Sequence, residues 1–416
     1  MEENIRERFP CLREEAEALD TLAAWFRSFY PVGADASGGV TRLGYTKNED
    51  IMHGGLRNLA KSLGLKYSSD EAGNTYVYRE EARRYILIGS HLDSVISGGR
   101  YDGVAGVIAG LMILKWLGES NVSLPVKLCA FRCEESSMFG IATVGSALIT
   151  NKMDPERLKK VTNKEGVSLW ETLKKRGYSP VCKKITGLLG YLELHIEQGR
   201  ILELQKCNIG IVTDIAAPTR YWLTIRGRQD HTGATPMDCR LDALAAAAEI
   251  ILKLESLAKA ESSARTVGTV GFLDNEPNAF NVISGKVRLG IDIRGIVKES
   301  VDRTASAATA AIGEICGRRG LAYELVNISA DTPVKLDPGV IGKLEKAAET
   351  LGERYYVMPS GAGHDAMEFA DLCPTGMVFI PCKDGVSHNK AEHMELSHLL
   401  SGIRVLFAAL MDWKIS

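Results

Sequence analysis

The chain has 416 residues, too many for one simple core, so two domains are expected. Its 45% hydrophobic and 25% charged residues are ordinary for a soluble globular protein, and a net charge of −2 gives no bulk attraction to nucleic acid or an anionic membrane. Nine cysteines without CxxC pairing argue against a disulfide frame and read as reduced thiols in a cytoplasmic protein. The first eight residues are charged and lack the apolar core of a signal peptide. The apolar stretch 104–117 contains glycines and a lysine and is too short to span a bilayer.

In chain order, residues 85–90 read as a buried strand, 103–117 as a helix rich in Ala, Leu and Ile, 126–132 as a second strand and 188–195 as a third. Alternating strands and helices predict an α/β sheet with functional groups at strand ends. The middle differs: strand 221–227, helix 241–260, strands 265–273 and 287–294, helix 301–318 and strand 321–328. That is the β-α-β-β-α-β order of a ferredoxin-like unit. The tail resumes the first pattern, with helices at 340–351 and 366–369, a strand at 377–381 and a closing helix at 396–410. We therefore expect one α/β domain, 1–211 and 330–416, interrupted by an inserted four-stranded domain, 212–329.

His91 ends the first strand, with Asp93 two residues on and Asp102 a glycine-containing loop away. Glu134-Glu135, His195 and His388 each close another apolar, strand-like run. Imidazole and carboxylate are the donors that Zn²⁺ or Mn²⁺ takes, and hydrolytic sites leave a position open for water. Asp93 suits a carboxylate that holds the His91 tautomer. Of the two adjacent acids, one could ligate metal while the other takes a proton from water. Singly each residue reads as a loop or cap residue; together they read as a metal centre. Cys133, beside the acidic pair, reads as a buried small hydrophobe, not a nucleophile. Val287, Leu289, Ile291 and Ile293 alternate with Arg288, Asp292 and Arg294, and an Arg suits bidentate capture of a carboxylate.

Several motifs act as a set: Gly-Ser-His-Leu-Asp-Ser (89–94), Gly-Gly-Arg-Tyr-Asp-Gly (98–103), Cys-Glu-Glu-Ser (133–136), His-Ile-Glu-Gln-Gly (195–199), His-Thr-Gly-Ala-Thr-Pro-Met (231–237), Pro-Asn-Ala-Phe-Asn-Val-Ile (277–283), Asp-Ile-Arg-Gly (292–295), Gly-Ala-Gly-His-Asp-Ala (361–366) and Val-Ser-His-Asn (386–389). In them the chain resembles the two-metal amidohydrolases that include N-carbamoyl-L-amino-acid hydrolases, β-ureidopropionases and allantoate amidohydrolases, relatives of aminoacylases and co-catalytic zinc exopeptidases. The resemblance implies a mixed-sheet, di-metal catalytic domain with an inserted lid and dimerisation domain. It implies two divalent ions (Zn, Mn, Co or Ni) bridged by Asp102, with His91 and His195 completing one site and Glu135 and His388 the other. Glu134 would be the general base. His231, from the inserted domain, would stabilise the tetrahedral oxygen in the partner subunit of a homodimer. Arg294, Asn281, Gln198 and the Gly363 loop would bind a small ureido-acid substrate, with Asp93 orienting His91. His364 and Asp365 read as loop-stabilising or supporting residues. Met138 stands where many members carry an Arg, so the loop beside the metals differs. The expected reaction is cleavage of the ureido C–N bond, releasing ammonia and CO2, with allantoate hydrolysis or removal of another N-blocking group as rivals.

Overall fold

The computed structural model describes residues 5–414. The chain divides into two compact units: residues up to Thr213 together with those from Lys335 onward, and Asp214–Val334. The strands in chain order are β1 (Lys66–Ser69), β2 (Thr75–Tyr78), β3 (Tyr85–His91), β4 (Val126–Phe131), β5 (Leu188–Ile196), β6 (Ile209–Ile215), β7 (Ala217–Arg226), β8 (Val267–Glu276), β9 (Lys286–Gly295), β10 (Ala322–Ala330), β11 (Val334–Lys335), β12 (Tyr355–Ser360) and β13 (Thr375–Ile380).

In the first unit nine strands form one sheet in the order β1-β2-β4-β3-β5-β13-β6-β11, with β12 also paired to β6. The central run β4-β3-β5-β13 is parallel, and β1, β2 and β6 pair antiparallel at its flanks. The sheet is therefore mixed, as the resemblance implied. Parallel central strands are buried on both faces, which explains why β3 and β13 are buried at every residue. Alternation still sorts the side chains. On β5, Leu192, Leu194 and Ile196 join the large apolar cluster formed with helices Val104–Glu119, Glu15–Phe29 and Leu396–Met411. Tyr191 lies on the opposite face, where its ring stacks on Phe369 and tilts against Phe131. His195, with the same parity, shares that second face.

Helix Val104–Glu119 is apolar nearly all round and buried along most of its length, as a helix enclosed within a core must be. Each such Leu, Ile or Val contributes roughly 1.5–3 kcal/mol by leaving water. Strands β1 and β2, helices Glu15–Phe29 and Lys47–Ser62, and strands β6 and β12 lay outside the sequence reading. The segment expected as a helix at 366–369 is a single 3-10 turn, Asp365–Glu368, too short to form an α-helical ladder. All nine cysteines are free thiols, and Cys133 is buried.

The second unit is a four-stranded antiparallel sheet in the order β10-β7-β9-β8. With helices Ala243–Ala260 and Lys298–Arg318 between strands, its element order is β-α-β-β-α-β. Leu223, Ile225, Val287, Leu289, Ile291 and Ile293 point to the helices and make a separate core. The alternate residues of β9, among them Arg288, Asp292 and Arg294, take the other face.

Candidate metal centre

Parallel pairing brings the C-terminal ends of β4, β3, β5 and β13 to one edge of the sheet. His91 is the last residue of β3 and pairs in register with Phe131, the last of β4. Glu134 and Glu135 follow β4 within four residues. His195 pairs with Phe379 near the end of β13, and the loop after β13 carries His388. Residues far apart in sequence thus meet because α/β sheets open their crevices at strand ends.

Two donor groups result: His91, Asp102 and His195, and Asp102, Glu135 and His388. Within each, the ligand atoms lie within 4.8 Å of one another. Asp102 Oδ1 sits 3.4 Å from His91 Nε2 and 3.1 Å from His195 Nε2. Its Oδ2 is 3.5 Å from His388 Nε2, which is 3.1 Å from Glu135 Oε1. Both groups therefore share the two oxygens of one carboxylate. Glu134 Oε2 is 3.7 Å from His91 Nε2.

The donor chemistry fits divalent cations. His195 Nδ1 lies 2.9 Å from the Ile196 carbonyl, so in the neutral ring the proton sits there and Nε2 presents a lone pair. His91 Nδ1 faces the Asp93 carbonyl and Asp93 Oδ1, both at 3.3 Å, and is set the same way. The two Nε2 atoms then face each other at 3.4 Å across Asp102 Oδ1. With both rings neutral, three lone-pair donors converge there, an arrangement that could hold a cation.

Electrostatics point the same way. Burial works against charge on Asp102, yet the imidazoles around it, His195 first, hold it well below the usual carboxylate range. Burial opposes protonation of His91, but Glu134 and the nearby aspartates outweigh it and push the imidazole well above its ordinary value. His195 is likewise raised against burial by Asp102. Hydrogen bonds to Asp102 and Glu135 lift half-exposed His388 to about 11. Burial pushes Glu134 well above its usual value, against the pull of His91. Glu135 is also raised by burial. The pocket draws positive charge to its imidazoles, and a metal ion would take the place of those protons.

Asp93 does more than face His91. Its two oxygens accept the backbone N–H groups of Glu134 and Glu135 at 3.1 and 3.0 Å. The preceding amide, Cys133 N–H, donates to Glu49 at 2.8 Å, and Glu49 also binds Arg132. Three consecutive amides thus grip two buried carboxylates, which holds Cys133 at φ 52° and aims the acidic pair. Gly103 (φ 66°) lets the chain turn under His91; a Cβ there would lie 2.5 Å from the imidazole.

Gln198 Nε2 donates to Asp102 Oδ2 at 2.7 Å, while its buried Oε1 has no partner among the described residues. His364 Nε2 bonds Ser360 Oγ at 2.9 Å and its ring meets His195 edge-on at 4.6 Å, so it braces the ligand-bearing strand. Asp365 takes Ser146 Oγ at 2.5 Å in a fully buried setting. In the loop before Gly363, the Ala362 N–H is engaged by Ser360 Oγ. Sequence reading missed Glu49 and Glu392, because nothing in their local spacing signals an acceptor for distant amides. His53 is buried with Nδ1 on Thr75.

The remaining candidates lie in the second unit. His231 is exposed and bridges to Val282, and Thr232 N–H meets the Asn281 carbonyl at 3.3 Å, so His231 and Asn281 are neighbours. His231 Nδ1 accepts from Gly233 and Ala234 N–H at 3.0 and 3.2 Å, which leaves the ring proton on Nε2 as a donor. Arg294 is held by Asp292 through Nε and Nη2 at 2.8 and 2.7 Å, and Asp292 also binds Arg220.

The family model for Peptidase family M20/M25/M40 matches residues 87–412. The chain is 36% identical over 395 residues to an N-carbamoyl-L-amino acid amidohydrolase of Geobacillus stearothermophilus, covering 92% of this chain and 95% of that one. It is 34% identical over 405 residues to an allantoate amidohydrolase of Bacillus subtilis, covering 95% and 97%. A crystal structure of an amidase of the hydantoinase/carbamoylase family from Burkholderia multivorans superposes with a TM-score of 0.83 at 31% identity, covering 95% and 97%. With strand ends, donors and relatives in agreement over most of its length, the chain belongs to peptidase family M20/M25/M40.

Proposed function

We propose that this protein is a metal-dependent amidohydrolase that cleaves the ureido C–N bond of an N-carbamoyl-L-amino acid or a related ureido acid, releasing ammonia and CO2. The observation that carries the reading is the pair of donor groups sharing Asp102, with Glu134 beside them. Relatives named for N-carbamoyl-amino acids and for allantoate support the substrate class. His91, Asp102 and His195 would hold one divalent ion, and Asp102, Glu135 and His388 the other. When bound, such a pair polarises a carbonyl and makes water acidic enough to lose a proton near neutrality.

The chain's own residues supply the rest. Glu134, a carboxylate whose basicity is raised by burial, accepts the proton of the attacking water and returns it to the leaving nitrogen. Asp93 and Glu49 keep that carboxylate aimed through the amides of residues 133–135. His231 Nε2–H is suited to stabilise the tetrahedral oxygen, a contribution of ~3 kcal/mol in other hydrolases. Arg294, steadied by Asp292, takes the substrate carboxylate, and Asn281, Gln198 and the Gly363 loop make further polar contacts. The reading extends to a cytoplasmic homodimer in which His231 serves the partner's site. No described helix is long and apolar enough to cross a membrane.

A hydrolysis screen tests this. Apo-protein supplied with Mn²⁺, Co²⁺, Ni²⁺ or Zn²⁺ is offered N-carbamoyl, N-acetyl and N-formyl amino acids, β-ureidopropionate, allantoate and dipeptides. The proposal expects ammonia release from a ureido acid at the highest kcat/KM. Preference for an acetylated amino acid or a dipeptide would refute it.

A further inference from the structure

The loops that carry Asp102 and His388 come from opposite ends of the first unit's sequence, yet one buried side chain joins them. Glu392 Oε1 accepts the backbone N–H groups of Tyr101 at 2.8 Å and Asp102 at 3.1 Å, across 291 and 290 positions. Its Oε2 takes the Ser387 hydroxyl at 3.0 Å. Ser387 Oγ lies also 2.9 Å from Asp102 Oδ2, the oxygen that faces His388. The Glu392 amide closes a turn on the Asn389 carbonyl at 2.9 Å. Glu392 is only 3% exposed.

Two features show that the connection is built tightly. The loop wraps the carboxylate so closely that a Cβ on Gly99 would sit 2.0 Å from Glu392 Cδ, so a side chain there has no room. His388 holds a left-handed backbone at φ 54°, a conformation that persists in a non-glycine residue only where its surroundings enforce it. Ser387 precedes it on the chain, and Glu392 follows four residues on.

We propose that Glu392 is a positioning residue that couples the two donor groups: it sets the backbone of the shared Asp102 and, through Ser387, the loop that presents His388. This rests on the reading of these groups as metal donors. Because Asp102 serves both, disturbing Glu392 weakens both ions together, unlike loss of a donor that belongs to one group. The hydrogen-bonded connection, not the charge, carries the effect. A glutamine can keep its Oε1 on the two amides and donate its Nε2 to Ser387, which then donates to Asp102.

The test is calorimetric titration of the metal-free full-length chain with Zn²⁺ and with Mn²⁺, with circular dichroism to verify the fold. The unaltered chain is expected to take up two equivalents. Glu392→Ala should weaken both binding steps by about 10- to 100-fold, the range for loss of a group that supports a metal ligand, and Glu392→Gln should stay within about threefold of the unaltered chain. Unchanged affinity in Glu392→Ala, weakening of one step alone, or a Glu392→Gln loss as large as that of alanine would each overturn the inference. If Glu392→Ala does not fold, Ser387→Ala decides: about tenfold weaker binding supports the coupling, and unchanged binding overturns it. Failure of the unaltered chain to bind either metal would instead overturn the metal reading itself, and this inference with it.

Discussion

The two units treat most of their candidate functional side chains differently. In the first, His91, Asp102, Glu134, Glu135 and His195 are buried while His388 is half-exposed, and the amides of Asp102, Glu134 and Glu135 are tied to carboxylates from distant segments. In the second, His231 and Asn281 are exposed on loops, and Arg294 lies on the sheet face away from the helices. The groups proposed to hold a cation sit at or just beyond the ends of parallel strands. The groups proposed to meet the substrate in the second unit, His231 and Asn281, are exposed to solvent. If the proposed roles hold, substitutions should separate along the same line.

The largest effect is expected at the shared oxygen pair. Asp102→Asn removes one charged donor from both groups, so metal uptake should fall in both steps and hydrolysis should drop below detection. Metal content by elemental analysis and turnover of a ureido acid check this together; full metal content would break the contrast between the units. A smaller and different effect is expected in the second unit. Arg294→Ala should raise KM for carboxylate substrates by about 10- to 150-fold, the equivalent of the ~1.5–3 kcal/mol of a hydrogen bond to a charged group, with kcat and metal content little changed. Steady-state kinetics with a ureido acid and with its amide analogue sharpen this. The penalty should vanish for the uncharged analogue, and an unchanged KM for the acid would place carboxylate capture elsewhere.

Much of the frame was legible in the sequence for a physical reason. Central parallel strands are buried on both faces, so β3, β4 and β5 are largely apolar runs with polar candidate donors at or just beyond their ends. The second unit was legible because β9 alternates strictly between core and free face. The flanking strand β1, Lys-Tyr-Ser-Ser and largely exposed, has no such pattern, and β2 is four residues long. Helix Lys47–Ser62 hides its few apolar contacts among charges and a glycine pair. At the site, donors announced themselves as His, Asp and Glu at strand ends. Their supports did not. Glu49 and Glu392 act on amides 84 and 290 positions away, and no local spacing encodes such a partner. Asp93 was read only through its neighbour His91, although its oxygens also hold the acidic pair 41 and 42 positions on.

In the proposed mechanism the two donor groups hold metal while Glu134 moves the proton. Glu134→Gln keeps the side chain's size and leaves both donor groups whole. The most direct measurement takes metal content and ureido-acid turnover on the same preparation of this variant. The account predicts two metal equivalents with kcat reduced by about 10²- to 10⁴-fold or more, the usual contribution of a positioned general base. Full metal content with undiminished kcat would contradict it.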